Sequence, residues 1–501
     1  MASNTSARKS LAILQNESPL RGRTPLSTAL NWQEDKKDSS PRALRALSQI
    51  INSGLCHRCG SCVGICPTGV LHVDGEEYPR IQNVSACTDC DLCVKVCPGD
   101  EFSYAAQYEK KFGKKAELTS THGFFKEAVI AHSGEAFLRE DSTSGGMVTA
   151  LLLHLLETKQ IDGALVIASD EKTLWKGKPI IARTRAELLA TAKSKYAITA
   201  TNTLLSEIRT LEGQYAIVGL PCQIHGVVKA AELDERLNSR IALTIGLFCH
   251  AAIEHEAFKI LWDHLGDKTK NAKRFISRVG KHPGTPHLEL EDGSLYPVYF
   301  GERSGYRPSS IEVINILYRL YTPDRCLTCF DATAEFADIS VGDPWMAPPE
   351  SDVDFHKGWS FALVRTPRGK AALDASQASN YVQYRTVTRK EALACNSLMA
   401  GEKRWRAFRV LETHHRQGKS VPSYGAVHQE YPRHSGFQFV ETELHMLSHI
   451  FCFLPRLRAA VLKFFLGKGY WLFWLNSKRR ALRFFIRDSK ARLRRQLFGR
   501  K

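Results

Sequence analysis

The chain has 501 residues, 43% hydrophobic and 24% charged, with 34 Gly and 20 Pro. That profile fits a soluble globular protein of about two to four domains and excludes collagen-like, coiled-coil and wholly disordered classes. The formal net charge is +17, yet residues 456–501 hold fifteen Lys or Arg against the single acid Asp488, so the remainder is close to neutral.

Residues 1–41 are rich in Ser, Thr, Asn and basic residues without periodicity, and read as a flexible arm. Because no acid precedes Glu17, an organelle-targeting peptide is the alternative to a plain tail. No apolar secretory core stands at the start, and no uninterrupted apolar run reaches the roughly 18 residues that would cross a bilayer. A short helix is expected over 43–53, within a cysteine-dense block spanning 42–105. From about residue 120 to 400 short apolar runs alternate with helical patterns. Strands are expected at 128–132, 164–168, 215–220, 241–248, 337–342 and 361–365, and helices at 146–158 and 186–211. Alternation of this kind predicts an α/β domain with a largely parallel sheet.

The strongest signal is a repeated cysteine motif. Cys56, Cys59, Cys62 and Cys66 are followed by Pro67, and Cys87, Cys90, Cys93 and Cys97 by Pro98, at identical spacings. A cubane iron–sulfur cluster needs four converging thiolates; a CxxCxxC run supplies three, and in two-cluster ferredoxins the fourth comes from the other motif. Cys56, Cys59, Cys62 and Cys97 are therefore assigned to one 4Fe-4S cluster, and Cys87, Cys90, Cys93 and Cys66 to a second. A zinc site or a disulfide scaffold is the competing reading. The duplication and the terminal prolines speak against both.

Four more cysteines share a setting. Cys222 and Cys249 each end an apolar run, where strand C-termini line the ligand crevice of a parallel sheet. Cys326 and Cys329 form a CxxC turn ahead of residues 337–342. They form a candidate third cluster, with buried structural cysteine as the alternative. Cys395 and Cys452 are read as structural. Ser144, Gly145 and Gly146 precede an apolar helix, where small residues and free N–H groups suit a nucleotide pyrophosphate or simply cap the helix. Ser194, Lys195 and Tyr196 precede another helical pattern and offer a cation and a ring, or an ordinary solvated turn.

Taken in order, Ser144-Gly145-Gly146, Ser194-Lys195-Tyr196, Gly219-Leu220-Pro221-Cys222, Gly246-Leu247-Phe248-Cys249, and Cys326-x2-Cys329 followed by Ala337–Trp345 resemble the β-subunit family of coenzyme F-420 hydrogenases and dehydrogenases. The resemblance spans about residues 50–400. It implies FAD in the α/β domain with the glycine loop close to it, a further 4Fe-4S cluster on Cys222, Cys249, Cys326 and Cys329, and a deazaflavin or other small reducible molecule as substrate. The function expected is an iron–sulfur flavoprotein oxidoreductase working with ferredoxin or a partner oxidoreductase subunit. A non-catalytic electron-relay subunit is the alternative.

From 441 to 501 aromatic and aliphatic residues alternate with Lys and Arg, as in basic amphipathic helices. Peripheral contact with an anionic membrane from the cytoplasm is expected. Docking on a partner subunit competes with it, and binding of nucleic acid is the weaker third reading.

Overall fold

The computed structural model describes residues 41–425 except 302–303, together with 440, 443, 446–447, 449–472 and 475. The expected arm, bar residue 41, and most of the basic tail lie outside these residues.

The first element is helix α1 (Arg42–Asn52), which buries Leu44, Leu47, Ile50 and Ile51 along one side. Helix α2 (Ser61–Ile65), a small hairpin of β1 (Leu71–Val73) and β2 (Pro79–Ile81), and helix α3 (Leu92–Lys95) follow. The two cysteine motifs have the same backbone. Arg58 and Asp89, two residues after the first cysteine of each, and Gly60 and Asp91, directly after the second, all adopt positive φ. Left-handed backbone at Arg58, Asp89 and Asp91 costs on the order of 1–2 kcal/mol per residue. Repetition at matched positions marks it as a requirement of the motif. The third cysteine of each motif enters the first turn of α2 or α3.

The rest is built on an eight-stranded mixed sheet. Its strands are β3 (Glu127–Ser133), β4 (Gly163–Ser169), β5 (Gly177–Ala182), β6 (Tyr215–Gly219) and β7 (Ile241–Leu247). After these, β8 (Ala272–Val279), β9 (Thr285–Leu290) and β10 (Leu295–Pro297) form a separate antiparallel sheet, before β11 (Ile339–Gly342), β12 (Ser360–Val364) and β13 (Val382–Val387) rejoin the first. The order is β13-β3-β12-β11-β7-β6-β4-β5. Within this sheet, among the described residues, β11, β7, β6 and β4 run parallel and the other strand pairings are antiparallel. The expectation of a largely parallel sheet is thus corrected to a parallel centre with antiparallel flanks. Apolar runs report burial on both faces and do not encode direction.

Strand periodicity sorts the core. In β6, Ala216 and Val218 face one cluster and Tyr215 and Ile217 the other. The first face packs on helix α4 (Met147–Glu157), through Ala150, Leu151 and Leu153. The second packs on α5 (Pro221–Leu233) and on the ferredoxin block itself, through Ile65, Val70, Leu71 and Val96. The iron–sulfur segment therefore shares the core of the α/β domain. Helices α6 (His255–Leu265) and α7 (Ser310–Tyr321) cover the small sheet, and α8 (Pro367–Ala378) joins α4. Helix α9 (Ser397–Arg416) packs Ala407, Phe408 and Leu411 against Phe330 and Tyr104, so packing continues past residue 400.

A single helix over 186–211 does not form. The chain is helical at Arg185–Ala190, runs irregularly through 191–200, and is helical again at Leu205–Thr210. Lys193 takes positive φ in the break, and the freed carbonyls are capped by Lys195. Helix α10 (Pro455–Leu466) begins at a proline that suits a first helical position.

Candidate redox site

A cavity of about 420 Å³ lies at the C-terminal ends of the parallel strands, walled by Val218–Leu220 after β6, Leu247–Cys249 after β7 and Val341–Asp343 after β11. That is where open α/β sheets bind ligands, and the volume suits a cofactor or small ligand. Ser144, Gly146, Ser194, Lys195 and Tyr196 all line it. The two loops that the sequence singled out are joined there, since the Ser194 N–H donates to the Thr143 hydroxyl at 3.0 Å.

Gly145 does not line the cavity. A Cβ on it would stand 2.5 Å from the Ala131 carbonyl oxygen and 2.6 Å from the Ser360 nitrogen. Its N–H donates to the Ser360 hydroxyl at 3.1 Å. The residue lets the loop lie flat on β3 and β12, and so positions its neighbours. Gly146 takes φ of 73° as the residue before α4, leaving the N–H groups of Met147, Val148 and Thr149 at the cavity wall, without partners inside the helix.

Lys195 lines the cavity but is committed to its own loop. Its Nζ donates to the carbonyls of Thr191, Ala192 and Lys193 at 2.6, 2.9 and 3.1 Å, and burial, with Arg274 nearby, draws its pKa down to about 7. Arg278, on the same cavity wall, is held by Asp343 at 2.7 Å. Burial raises the Tyr196 phenol. Sequence reading missed Arg278, because nothing in its neighbourhood marks it.

The cysteines fall into three sets. Burial pushes the Cys56 thiol up to about 12, and the neighbouring Cys97 and Cys59 sulfurs push it the same way. Cys62 is raised by burial and then by Cys56, Cys97 and Cys59, and Cys97, at about 11, by burial and Cys59. Cys93 stands at about 12 through burial, Cys66, Cys87 and Cys90. Cys87 is raised by burial, with Asp89, Cys66 and Cys90 adding to it. Cys97 thus lies near Cys56, Cys59 and Cys62, and Cys66 near Cys87 and Cys93. Cys222 is raised by burial and then by Cys59, Cys329, Cys326 and Cys249, so it neighbours both the third set and the first.

The geometry that joins the third set is glycine-dependent. A Cβ on Gly246 would meet the Ala334 Cβ at 2.3 Å, so bare backbone lets the loop after Cys329 press onto β7. Around it are two groups that sequence reading did not find, Asp331 and Lys403. Asp331 receives His225 Nε2 at 3.0 Å, and Lys403 Nζ donates to the Cys249 carbonyl at 2.8 Å. Among the described residues no three His, Cys, Asp or Glu crowd tightly enough to hold a single metal ion; a cubane, with each thiolate on a different iron, spaces its ligands more widely. Cys395 and Cys452 are buried, their thiols directed at the carbonyls of Asp343 and Arg319.

Comparison with known proteins follows the same division. Residues 128–206 match the family described as coenzyme F420 hydrogenase/dehydrogenase, beta subunit N-term, and residues 212–390 match its C terminus. The chain belongs to this β-subunit family. Residues 48–99 match a 4Fe-4S dicluster domain, so it is an iron–sulfur member. It is 28% identical to the coenzyme F420-dependent sulfite reductase of Methanocaldococcus jannaschii over 69% of this chain, and spans about half (50%) of that relative's length. It is 25% identical to the coenzyme F420 hydrogenase subunit beta of Methanothermobacter thermautotrophicus, over 60% of this chain and 99% of the relative. A chain of the F420-reducing [NiFe] hydrogenase complex from Methanosarcina barkeri aligns at 22% identity and a TM-score of 0.47, covering 62% of this chain and 98% of that one.

Proposed function

We propose that the protein is a flavin-linked iron–sulfur oxidoreductase that moves electrons between a small molecule in the 420 Å³ cavity and a redox partner at the ferredoxin block. One observation carries this reading: Cys249 is part of the cavity wall, and Cys222 of the same set neighbours Cys59 of the first ferredoxin set. Cys62 of that first set neighbours Cys93 of the second, so the three sets connect the cavity to Cys90, the exposed cysteine of the second.

FAD suits the cavity on chemical grounds. The Thr143 hydroxyl, which accepts from Ser194 and keeps its own hydrogen to donate, and the first turn of α4 offer donors to an anionic pyrophosphate. When bound, a flavin supplies the junction between two-electron chemistry with a substrate and the one-electron chemistry of clusters. The protein's part is to hold the loop with Gly145 and Ser360, to fix Tyr196 and Arg278 at the wall, and to keep the thiols of the third set dry. Cys56, Cys59, Cys62 and Cys97 hold one cluster, Cys66, Cys87, Cys90 and Cys93 the next, and Cys222, Cys249, Cys326 and Cys329 the third. A deazaflavin is the substrate class that the family relation favours, and the relatives' names as subunits favour a partner oxidoreductase subunit.

Anaerobic purification with flavin and iron quantification tests the reading. About twelve irons and one FAD per chain are expected. Cys326→Ser with Cys329→Ser should lose about four irons and slow flavin reduction by reduced ferredoxin at least tenfold. A full set of clusters with no flavin after reconstitution would leave a relay subunit as the better account.

A further inference from the structure

Helix α9 carries three cations at Lys403, Arg404 and Arg406, all within 2% exposure. Arg404 is closed by an ion pair with buried Glu335. Lys403 and Arg406 have no carboxylate at ion-pair distance among the described residues. Lys403 instead donates to the Cys249 carbonyl at 2.8 Å. Arg406 reaches the carbonyls of His250 and Cys326 at 3.4 Å each and the His250 ring at 3.2 Å, and its Nε finds no partner among the described residues. A third buried cation, Arg325, directly precedes Cys326 and donates to the carbonyls of Pro98 and Gly99, just past Cys97. The carboxylate on this side is Asp331, already engaged by His225 and by the N–H groups of Thr333 and Glu335. Positive charge is thus in excess around the third cysteine set.

The ferredoxin sets share that excess only through Arg325, which also faces Cys59 and Cys97 of the first. Near the first, Arg58 is neutralised by Glu254 at 2.6 Å, and Lys229 sits among Cys97, Glu101, Asp100 and Glu232. Near the second, Arg42 pairs with Asp91 and Cys90 is exposed, so water screens what remains. Two dry cations without counter-ions make sense only beside a group that is itself negative, because an uncompensated buried charge is strongly disfavoured. Neutral thiols do not provide that group. Four thiolates on a cubane do.

We infer that Lys403 and Arg406 set the potential of the third cluster, raising it above those of the two ferredoxin clusters so that it is the centre that holds an electron beside the cavity. The inference rests on the reading of Cys222, Cys249, Cys326 and Cys329 as a cluster site. Reduction of that cluster adds one electron and no proton, making the site more negative by one charge. Burial and surrounding charge are among the levers that set cluster potentials, and here they act in the direction of easier reduction.

The experiment is an EPR-monitored redox titration of the full-length holoprotein, with iron content measured on each sample. In Lys403→Met one of three cluster signals should titrate lower by at least tenfold in its reduction equilibrium, which is 59 mV for one electron, while the other two stay. Arg406→Gln should move the same signal in the same direction, and Lys403→Arg should restore the wild-type value. If Lys403→Met fails to assemble the third cluster, the Arg406→Gln titration decides. A third signal that does not move in the variants, or three signals that shift together, overturns the inference. Wild-type protein with iron for two clusters and no third signal overturns the reading of the site as well.

Discussion

His122 is fully buried, its ring nitrogens engaged by the Thr121 hydroxyl at 2.8 Å and the Cys395 carbonyl at 2.6 Å. Burial, with Arg365 and Arg404 nearby, draws its pKa down to about 4. The unfolded chain takes up the proton near 6.5, so it binds more protons than the folded chain between those values. Stability is therefore complete above pH 6.5 and falls as pH drops towards 4, by up to about 3 kcal/mol. Thermal unfolding measured from pH 7 to 4.5 should show a smaller acid loss in His122→Gln than in the wild type; equal losses would place the acid sensitivity elsewhere. Gly145 acts through contact instead of charge. Gly145→Val would drive a side chain into Ala131 and Ser360, an overpacking cost of about 1–3 kcal/mol. Flavin content should fall while ferredoxin iron is retained, as read by absorbance and iron assay. A stable variant with full flavin would contradict the role given to this loop.

Between elements, the critical seam joins the ferredoxin block to the sheet. A Cβ on Gly226 of α5 would stand 2.1 Å from Ser61 Oγ at the start of α2, and one on Gly64 would stand 2.0 Å from the Asn202 carbonyl oxygen. Asn202 Nδ2 bridges the Ser61 hydroxyl at 2.9 Å and the Gln223 carbonyl at 2.8 Å. Gly226→Leu should wedge α2 from α5, widen the gap between Cys59 and Cys222, and slow electron transfer from flavin to the ferredoxin clusters at least tenfold with iron retained. Stopped-flow bleaching of flavin and cluster bands separates the two steps; an unchanged rate would mean that electrons do not cross this seam. The seam also marks the limit of what could be read from sequence. Ligand spacing within each cysteine motif is local, and so is the apolar run of each strand, so both were legible. Strand direction was not, because a doubly buried strand looks alike either way. The break at 191–200 was invisible because it is stabilised by Lys195 folding back on three carbonyls. Nor was the cation excess on α9 legible: Lys403-Arg404-Trp405-Arg406 reads as an ordinary solvated face until Glu335, Cys249 and Cys326 are brought to it from 69 to 154 residues away.

At the scale of the molecule, the basic tail divides in two. Helix α10 belongs to the body: Leu462 and Leu466 are fully buried with Leu317 and Tyr321, and Arg458 pairs with Glu256 while lying 4.5 Å over the Tyr321 ring. Tyr470 packs against Gly301, where a Cβ would come within 2.5 Å of the ring. Leu457, Phe464, Trp471, Leu472 and Leu475 are exposed on the outside. Beyond them, residues 476–501 hold eleven Lys or Arg against Asp488; Trp474, Phe484 and Phe485 and the cations Arg479, Arg480 and Arg483 lie outside the described residues. No helix among the described residues is long and apolar enough to cross a membrane. A cationic segment contributes about 1 kcal/mol per Lys or Arg near an anionic surface, and the exposed Trp and Leu supply the apolar contact that fixes it there. The two halves therefore call for different cuts. Deleting 441–501 removes Leu462 and Leu466 from the core and should lower the unfolding temperature. Stopping the chain after residue 475 should leave unfolding temperature, flavin and iron unchanged while abolishing sedimentation with phosphatidylserine vesicles at low salt. If the full-length protein ignores such vesicles, the eleven cations face another protein, and the same truncation should instead release a partner subunit.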